Sequence, residues 1–432
     1  MIDSILTIRM RRPSDSIHEG DPTMTGPLSD YRVLELTSTV SGPMAGMILA
    51  DQGADVIKIE PPLLGDTARF LGSSRAGMGG MYAVLNRNKR SLVLDLKGEE
   101  DMEIFLQLVA TADVLLENYR PGIMRKLGID HTSLAKINPK LIYASISGYG
   151  QEGPYKNRRV YDPLIQATTG LAHAQGVEEP RNVQSIVFDK ITGMTTAQAV
   201  TTALLQREKT GQGQYLPVSM LESALYYNWP DMMWSRTLQG DGISYAGELA
   251  DYFQIFKLKD GSVSIVLVAD PAVELLCVWR GNTLHEDPRF KTLLDRLKNA
   301  TAWKLAVEEM LADLTAEEVC ETLDSFGVPV ARVNTLDEVH EDPQVLHDGS
   351  LIETTHPVIG DMRLPRPPVR FIGQDLDPEN FPARHAAFLG EHNREILSEL
   401  KVDEAAIARM EQREENNHKL ISAATAAAAD TG

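Results

Sequence analysis

The sequence predicts an α/β protein with a large Rossmann-like, doubly wound domain and a smaller α/β domain. Short apolar runs alternate with helical patterns in units of about 30 residues, the rhythm of parallel strands joined by right-handed crossovers. The texture changes after about Ala224, where a hairpin signature and further helices follow. A chain of 432 residues also has room for two or three domains of about 150 residues each.

The elements run in order. Val33–Leu36 reads as a first strand, Thr37–Pro43 as a turn and Met44–Gly53 as a helix, followed by a strand at Asp55–Glu60. Strands at Ser91–Leu96, Asp113–Leu116 and Leu141–Ile146, with a helix at Glu99–Ala112, continue the series. The apolar run Ser185–Phe188 reads as a strand leading into a helix that places Ile191, Met194, Ala197, Val200 and Leu204 on one face. In the later region, Tyr252–Leu258 and Ser262–Val268 flank a turn-forming Asp260-Gly261 as a hairpin. Helices are expected at Trp303–Leu314 and Ala316–Phe326, and the prolines between Pro343 and Arg370 predict an extended linker. The expected organisation is an N-terminal extension over 1–28, a large domain over 29–224 and a small domain over 225–342. A linker and return to the large domain over 343–410 and a mobile, Ala-rich tail over 411–432 complete it.

Composition excludes several functions. With 42 Lys+Arg against 61 Asp+Glu, a net charge of −19 repels nucleic acid and anionic membranes. No apolar run spans a bilayer. Cys277 and Cys320 are too few for a disulfide scaffold and fit a reducing, cytoplasmic setting. The ten histidines are scattered without a ligand motif, so no metal is expected. The first βα turn, Ser41-Gly42-Pro43-Met44-Ala45-Gly46, lacks the G-x-G-x-x-G of a dinucleotide site, although Glu60 ends the second strand where a ribose-binding acid would stand. G-x-S-x-G is also absent, which argues against a serine hydrolase.

Asp189 stands where the Ser185–Phe188 run meets the helix. It can be read as an N-cap, or as an ionised nucleophile whose pKa the helix N-terminus lowers. Local sequence favours the cap, and the two roles are compatible.

Several ordered motifs resemble the class III CoA-transferases, the family of formyl-CoA and carnitine CoA-transferases and the α-methylacyl-CoA racemases. They are Val33–Glu60, Gly65-Asp66-Thr67-Ala68-Arg69, Leu85–Ser91, Glu117–Gly122, Ile146–Gly153 and Arg207–Gly213. The likeness is strong over about Leu28 to Ser223 and looser to about Leu400. It implies a ring-shaped subunit in an interlocked homodimer, with no permanently bound cofactor and acyl-CoA and a free carboxylic acid as substrates. It also implies catalysis by Asp189 together with the pair Tyr161-Asp162. Asp189 would pass the acyl group through an anhydride and then carry CoA as an aspartyl thioester. Contacts to CoA are carried over to Val40, Asn86, Lys89, Asn118, Lys126, Arg159 and Tyr161, while Arg69 is read as structural.

The racemase branch carries a histidine at the position of Tyr161. A phenol with an ordinary pKa near 10 is a poor base at neutral pH, so the transferase reading is preferred. The motifs are also compatible with a CoA-ester binding protein without catalysis, and an NAD-linked dehydrogenase ranks last. There are departures from the formyl-CoA transferases: Ser41 replaces a glutamine, Pro61 an arginine and Asp162 a glutamate, and Gly240–Asp251 has no glycine run. These put a formyl/oxalate substrate pair in doubt.

Overall fold

A computed structural model describes residues 26–176, 178–245, 247–371, 381–382 and 384–429. The expected N-terminal extension up to residue 25, and the end of the expected tail from residue 430, lie outside the described residues. The chain gathers into two compact units. One is drawn from residues up to Thr169, Asn182–Leu225 and the chain from Gly349 onward; the other comprises Gly170–Arg181 and Tyr226–Asp348.

The first unit is built on six parallel strands: β1 (Arg32–Leu36), β2 (Asp55–Glu60), β3 (Lys89–Val93), β4 (Val114–Glu117), β5 (Ile142–Ser147) and β6 (Gln214–Ser219). Their order is β3-β2-β1-β4-β5-β6. In-register neighbours such as Leu34 and Ile57 face one side, where they pack with Leu115, Phe105 and Leu108 of helix α2 (Glu99–Thr111). Val33, Val56, Leu116 and Ala144 face the other side, against α1 (Ser41–Asp51) and, after helix α3 (Asp162–Thr168), α4 (Val187–Thr210). Burial on both faces explains why the strands read as continuous apolar runs rather than alternating ones.

Helices α1 and α4 approach closely. A Cβ at Gly193 would sit 2.7 Å from the Cβ of Met44 and from the Ser41 carbonyl, so only glycine permits this crossing. Because β1 has β2 on one flank and β4 on the other, the crossovers diverge there. A crevice therefore opens at the carboxyl ends of these strands.

At the outer margin beside β3, the chain near residue 392 binds strand backbone. Ser91 N–H donates to His392 Nδ1 (3.2 Å), His392 N–H donates to the Ser91 carbonyl (3.1 Å), and Val93 N–H donates to Asn393 Oδ1 (2.9 Å). The opposite margin, β6, carries Pro217.

The second unit has an antiparallel sheet of β7 (Gln254–Lys257), β8 (Ser262–Ile265) and β9 (Val330–Arg332), in the order β9-β8-β7. Helices α5 (Asp270–Trp279), α6 (Ala300–Leu311) and α7 (Ala316–Ser325) pack Leu276, Trp303, Val307, Val319 and Leu323 against Phe256 and Val263. The expected hairpin forms: Leu258 N–H donates to the Gly261 carbonyl at 2.9 Å, and Asp260 Oδ1 accepts from Ala316 N–H at 2.8 Å.

Two expectations need correction. Ser185–Phe188 is not a strand: α4 begins at Val187. Of its expected apolar face, Ala197, Val200 and Leu204 are buried, Met194 is exposed, and Thr192 and Thr196 join the buried side. The Pro343–Arg370 stretch is not simply extended. It forms a helical turn at Pro343–Asp348 and an antiparallel hairpin of β10 (Leu351–His356) with β11 (Gly360–Pro365). The prolines sit at the start of the turn, beside the hairpin bend and at the end of β11, where no ladder hydrogen bond is lost. Beyond them, α8 (Asn393–Glu399) and α9 (Glu404–Ala429) close the first unit.

Candidate functional site

The carboxyl ends of β1, β4 and β5 open into a cleft of about 250 Å³. Ser38, Thr39 and Ser41 line it after β1, Asn118–Pro121 after β4, and Ile146–Tyr149 after β5; Lys156, Arg158–Tyr161, Asp189 and Met220 complete the wall. The second unit holds a separate void of about 20 Å³, room for a water molecule but not for a substrate.

Asp189 is the third residue of α4, not its cap. The free N–H groups at this helix end are served by Asp162, whose Oδ2 accepts from Phe188 N–H (2.5 Å) and Asp189 N–H (3.1 Å). Its Oδ1 accepts from Gln166 Nε2 at 2.5 Å. With the capping role filled from α3, the Asp189 carboxylate is left to face the cleft. Ser41 lines the same wall, and its N–H and hydroxyl favour the charged form of Asp189. The expectation of a lowered pKa is corrected: burial, and then repulsion from Asp162, push Asp189 up to about 6, while the Ser41 donors pull against that rise. At pH 7 the group still carries its charge.

Tyr161 is the N-cap residue of α3 and is 68% exposed on the cleft wall. Asn118 braces the crevice: its Oδ1 accepts from Ser38 N–H (3.0 Å) and its Nδ2 donates to the Ser38 carbonyl (2.8 Å), tying the β1 and β4 loops together. Arg159 also lines the cleft. The structure thus brings together Asp189, Tyr161, Asn118 and Arg159.

It sets the other expected residues apart. Asp162 is buried behind the wall as the cap of α4. Val40 is packed among Met47 and Leu85, and its side chain does not reach the cleft. Lys89 is 1% exposed, with Nζ 2.8 Å from Glu35 Oε2 and donating to the Pro43 carbonyl and Asn86 Oδ1, both at 2.9 Å. Asn86 is buried with it, its Nδ2 donating to the Tyr82 carbonyl at 3.1 Å. Both were expected at CoA and are interior groups instead. Lys126 is exposed at the end of a short helix outside the cleft wall. Arg69 is structural, pairing with Glu60 at 2.7 Å in the interior; that contact engages the acid a ribose would have needed.

Three cations of the cleft were missed: Arg120, Lys156 and Arg158. Arg120 lies inside the Glu117–Gly122 motif, and the other two lie between Gly153 and Tyr161, so their sequence signal was adjacency to motifs already noted. The Arg158 guanidinium lies 3.7 Å from the Tyr155 ring centroid, which orients it. With Arg159, four cations line one cleft of a protein whose net charge is −19, so the local field there favours anions.

Two further residues shape the wall. Thr39 adopts φ +71°, a left-handed conformation costly for a β-branched residue. Glu117, beneath the β4 loop, is buried and pushed up to about 7 by that burial, against hydrogen bonds from Ser145 and from Tyr119 N–H. Among the described residues, no group of three or more His, Cys, Asp or Glu side chains is arranged to hold a metal, and no helix is long and apolar enough to cross a membrane.

Comparison with known proteins adds to this geometry. The family model "CoA-transferase family III" matches residues 28–393. Among curated proteins, the acetyl-CoA:oxalate CoA-transferase of Acetobacter aceti is 36% identical over 388 residues, covering 88% of this chain and 97% of that protein. The succinyl-CoA:glutarate CoA-transferase of Mus musculus is 32% identical over 425 residues, covering 93% and 95%. Among solved structures, a CAIB/BAIF family protein from Brucella suis superposes with a TM-score of 0.76 at 31% identity, over 87% of this chain and all (100%) of that one.

Proposed function

The chain belongs to CoA-transferase family III, and on that premise we propose that Asp189 is the nucleophile that moves CoA from an acyl-CoA thioester to a free carboxylic acid. The observation that carries this reading is the division of labour at the head of α4. Asp162 satisfies the helix N–H groups, so the Asp189 carboxylate is free to face a cationic cleft.

In the first step an Asp189 oxygen attacks the thioester carbonyl carbon. The C–S bond breaks, CoA leaves as its thiolate, and a mixed acyl-aspartyl anhydride forms. The thiolate then attacks the Asp189 carbonyl carbon and releases the donor acid, giving an aspartyl-CoA thioester. The acceptor carboxylate attacks that thioester and displaces the thiolate, which attacks the acceptor carbonyl. Acceptor-CoA and the Asp189 carboxylate result. Each step exchanges one activated acyl species for another, so no external energy source is needed. The Ser41 N–H is placed to stabilise the oxyanion formed on Asp189 in the second and third steps. Tyr161, Asn118 and the cations Arg120, Lys156, Arg158 and Arg159 serve to bind CoA and its phosphates.

The relatives are named for short dicarboxylic acids as acceptors, oxalate and glutarate, and a short dicarboxylate is the acceptor class we propose here. We also propose a homodimer, and a reducing, cytoplasmic setting that suits the free Cys277 and Cys320. Tyr161 again favours transfer over racemisation.

The test uses an acceptor acid labelled with ¹⁸O in its carboxylate. One labelled oxygen should enter Asp189 in each turnover and appear in the donor acid released by the next one. Asp189→Ala should abolish transfer while CoA binding persists. Transfer by that variant at near the parent rate, or a donor acid without label, would overturn the assignment.

A further inference from the structure

The loop that presents Ser41 to Asp189 is held from beneath by groups that never touch the cleft. Asp66 Oδ1 accepts from the N–H of Thr39 (2.9 Å) and from Ala68 N–H (2.9 Å). Lys58 Nζ lies 3.0 Å from Asp66 Oδ2 and donates to the Thr37 carbonyl (2.9 Å) and to Glu35 Oε1 (3.0 Å). Lys89 reaches the first turn of α1, which the loop runs into, at the Pro43 carbonyl and pairs with the other Glu35 oxygen. Lys58, Glu35, Asp66 and Lys89 are all nearly fully buried. The fold leaves room for this arrangement: a Cβ at Gly46 would fall 1.8 Å from Glu35 Oε2.

A β-branched residue takes φ +71° only where its surroundings outweigh the cost of the left-handed region. The Asp66 bond to Thr39 N–H is the contact that does so. Two residues later comes Ser41, which opens α1 against α4, its carbonyl 2.7 Å from where a Cβ on Gly193 would stand. It lines the cleft with Asp189, and its N–H and hydroxyl favour the charged carboxylate.

We propose that Lys58 and Asp66 are positioning residues for the nucleophile: they fix Thr39 in the left-handed conformation and so aim the Ser41 donors at Asp189. The inference rests on the reading of Asp189 given above. It extends the machinery of transfer to a buried ion pair below the cleft. The charged and titratable groups around Asp189 itself are Asp162 and Tyr161 from the α3 end and the cleft cations Arg120, Lys156, Arg158 and Arg159. None of these is held by the Lys58–Asp66 pair, which acts on Asp189 through Ser41.

The experiment follows the titration of Asp189 by NMR in protein carrying ¹³C-carboxyl aspartate, assigned by the signal lost in Asp189→Asn. Transfer kinetics are measured in parallel. In Asp66→Ala the midpoint of Asp189 should rise above that of the parent protein, and kcat should fall about tenfold while KM for acyl-CoA stays within about twofold. Asp66→Asn keeps an oxygen for Thr39 N–H and should retain the parent midpoint and a kcat within about threefold. Thr39→Pro approaches the same question from the loop, because proline has neither the N–H nor access to φ +71°. It leaves the buried pair intact and should reproduce the Asp66→Ala result if that variant does not fold.

The proposal is overturned if folded Asp66→Ala or Thr39→Pro keeps the parent midpoint and kcat, or if Asp66→Asn shifts the midpoint as far as Asp66→Ala. The NMR titration needs no turnover, so absence of transfer in the parent would count against the proposed function and leave the positioning test standing.

Discussion

The first unit keeps charge in its interior under the cleft, where Glu35, Lys58, Glu60, Asp66, Arg69 and Lys89 are all buried. In the second unit, among the described residues, Arg296 alone is a buried charged side chain, and it is held by Asp270 and the carbonyls of Phe290 and Val268. The rest of that interior is Phe256, Leu276, Trp303, Val307, Leu323 and their neighbours. An apolar core of this kind gains stability simply by leaving water. Buried ion pairs gain little over well-packed apolar residues and cost much when broken. Their concentration beneath one loop therefore points to shape: they fix carbonyls and N–H groups where a cleft wall has to be exact.

Breaking the network tests this contrast most severely. Lys58→Met leaves Asp66 without its cation and Glu35 with Lys89 alone, and should cost about 3–5 kcal/mol. The loss should appear in urea unfolding and as hydrogen exchange confined to segments of the first unit. A loss below about 1 kcal/mol would mean that the pair is dispensable.

A pH experiment sharpens the comparison. Burial raises Glu117 from its ordinary 4.5 to about 7, so folding takes up a proton between those values. The stabilisation this gives is complete below pH 4.5 and is lost as pH rises through 7, leaving a buried carboxylate that costs roughly 3 kcal/mol. Glu117→Gln should therefore gain up to that amount at pH 8 and little at pH 4, read from unfolding midpoints at the two values. Equal effects at both would show that Glu117 is solvated.

The smallest effect belongs to the other side of the comparison. Thr315 caps α7 in a reciprocal box with Glu318, accepting from its N–H at 3.3 Å while its own N–H donates to the Glu318 carboxylate at 2.8 Å. Thr315→Ala should cost about 1 kcal/mol, seen as faster exchange in the second unit with CoA transfer unchanged. A loss of transfer would show that the cap matters to more than its own helix.

The strands were legible because a sheet covered on both faces writes apolar runs into the sequence, as in Val33–Leu36 and Leu141–Ile146. Asp189, Tyr161, Asn118 and Arg159 followed from the family resemblance, whereas the strand order that opens the crevice came only with the structure. What stayed hidden is non-local. Nothing near Asp189 shows that Asp162, 27 positions earlier, takes over the cap, so the local reading favoured Asp189 for that job. Lys89, in a run Asn86–Arg90 of polar residues, reads as surface; only the passage of Glu35 beside Gly46 reveals that it lies inside. The helix start was misread because Ser185–Phe188 is rich in β-formers, and its packing against α3 and α1 overrode that preference.

The backbone bonds made by His392 and Asn393 to β3, and the proline in β6, have a consequence for the protein in bulk. A six-stranded parallel array with bare sides would invite strands from other molecules and seed fibrous aggregates. Here one side is already occupied by the chain's own return segment, and the other includes a residue with no amide hydrogen to offer. Concentrated solutions should accordingly resist amyloid-like growth until the segment around residue 392 is displaced.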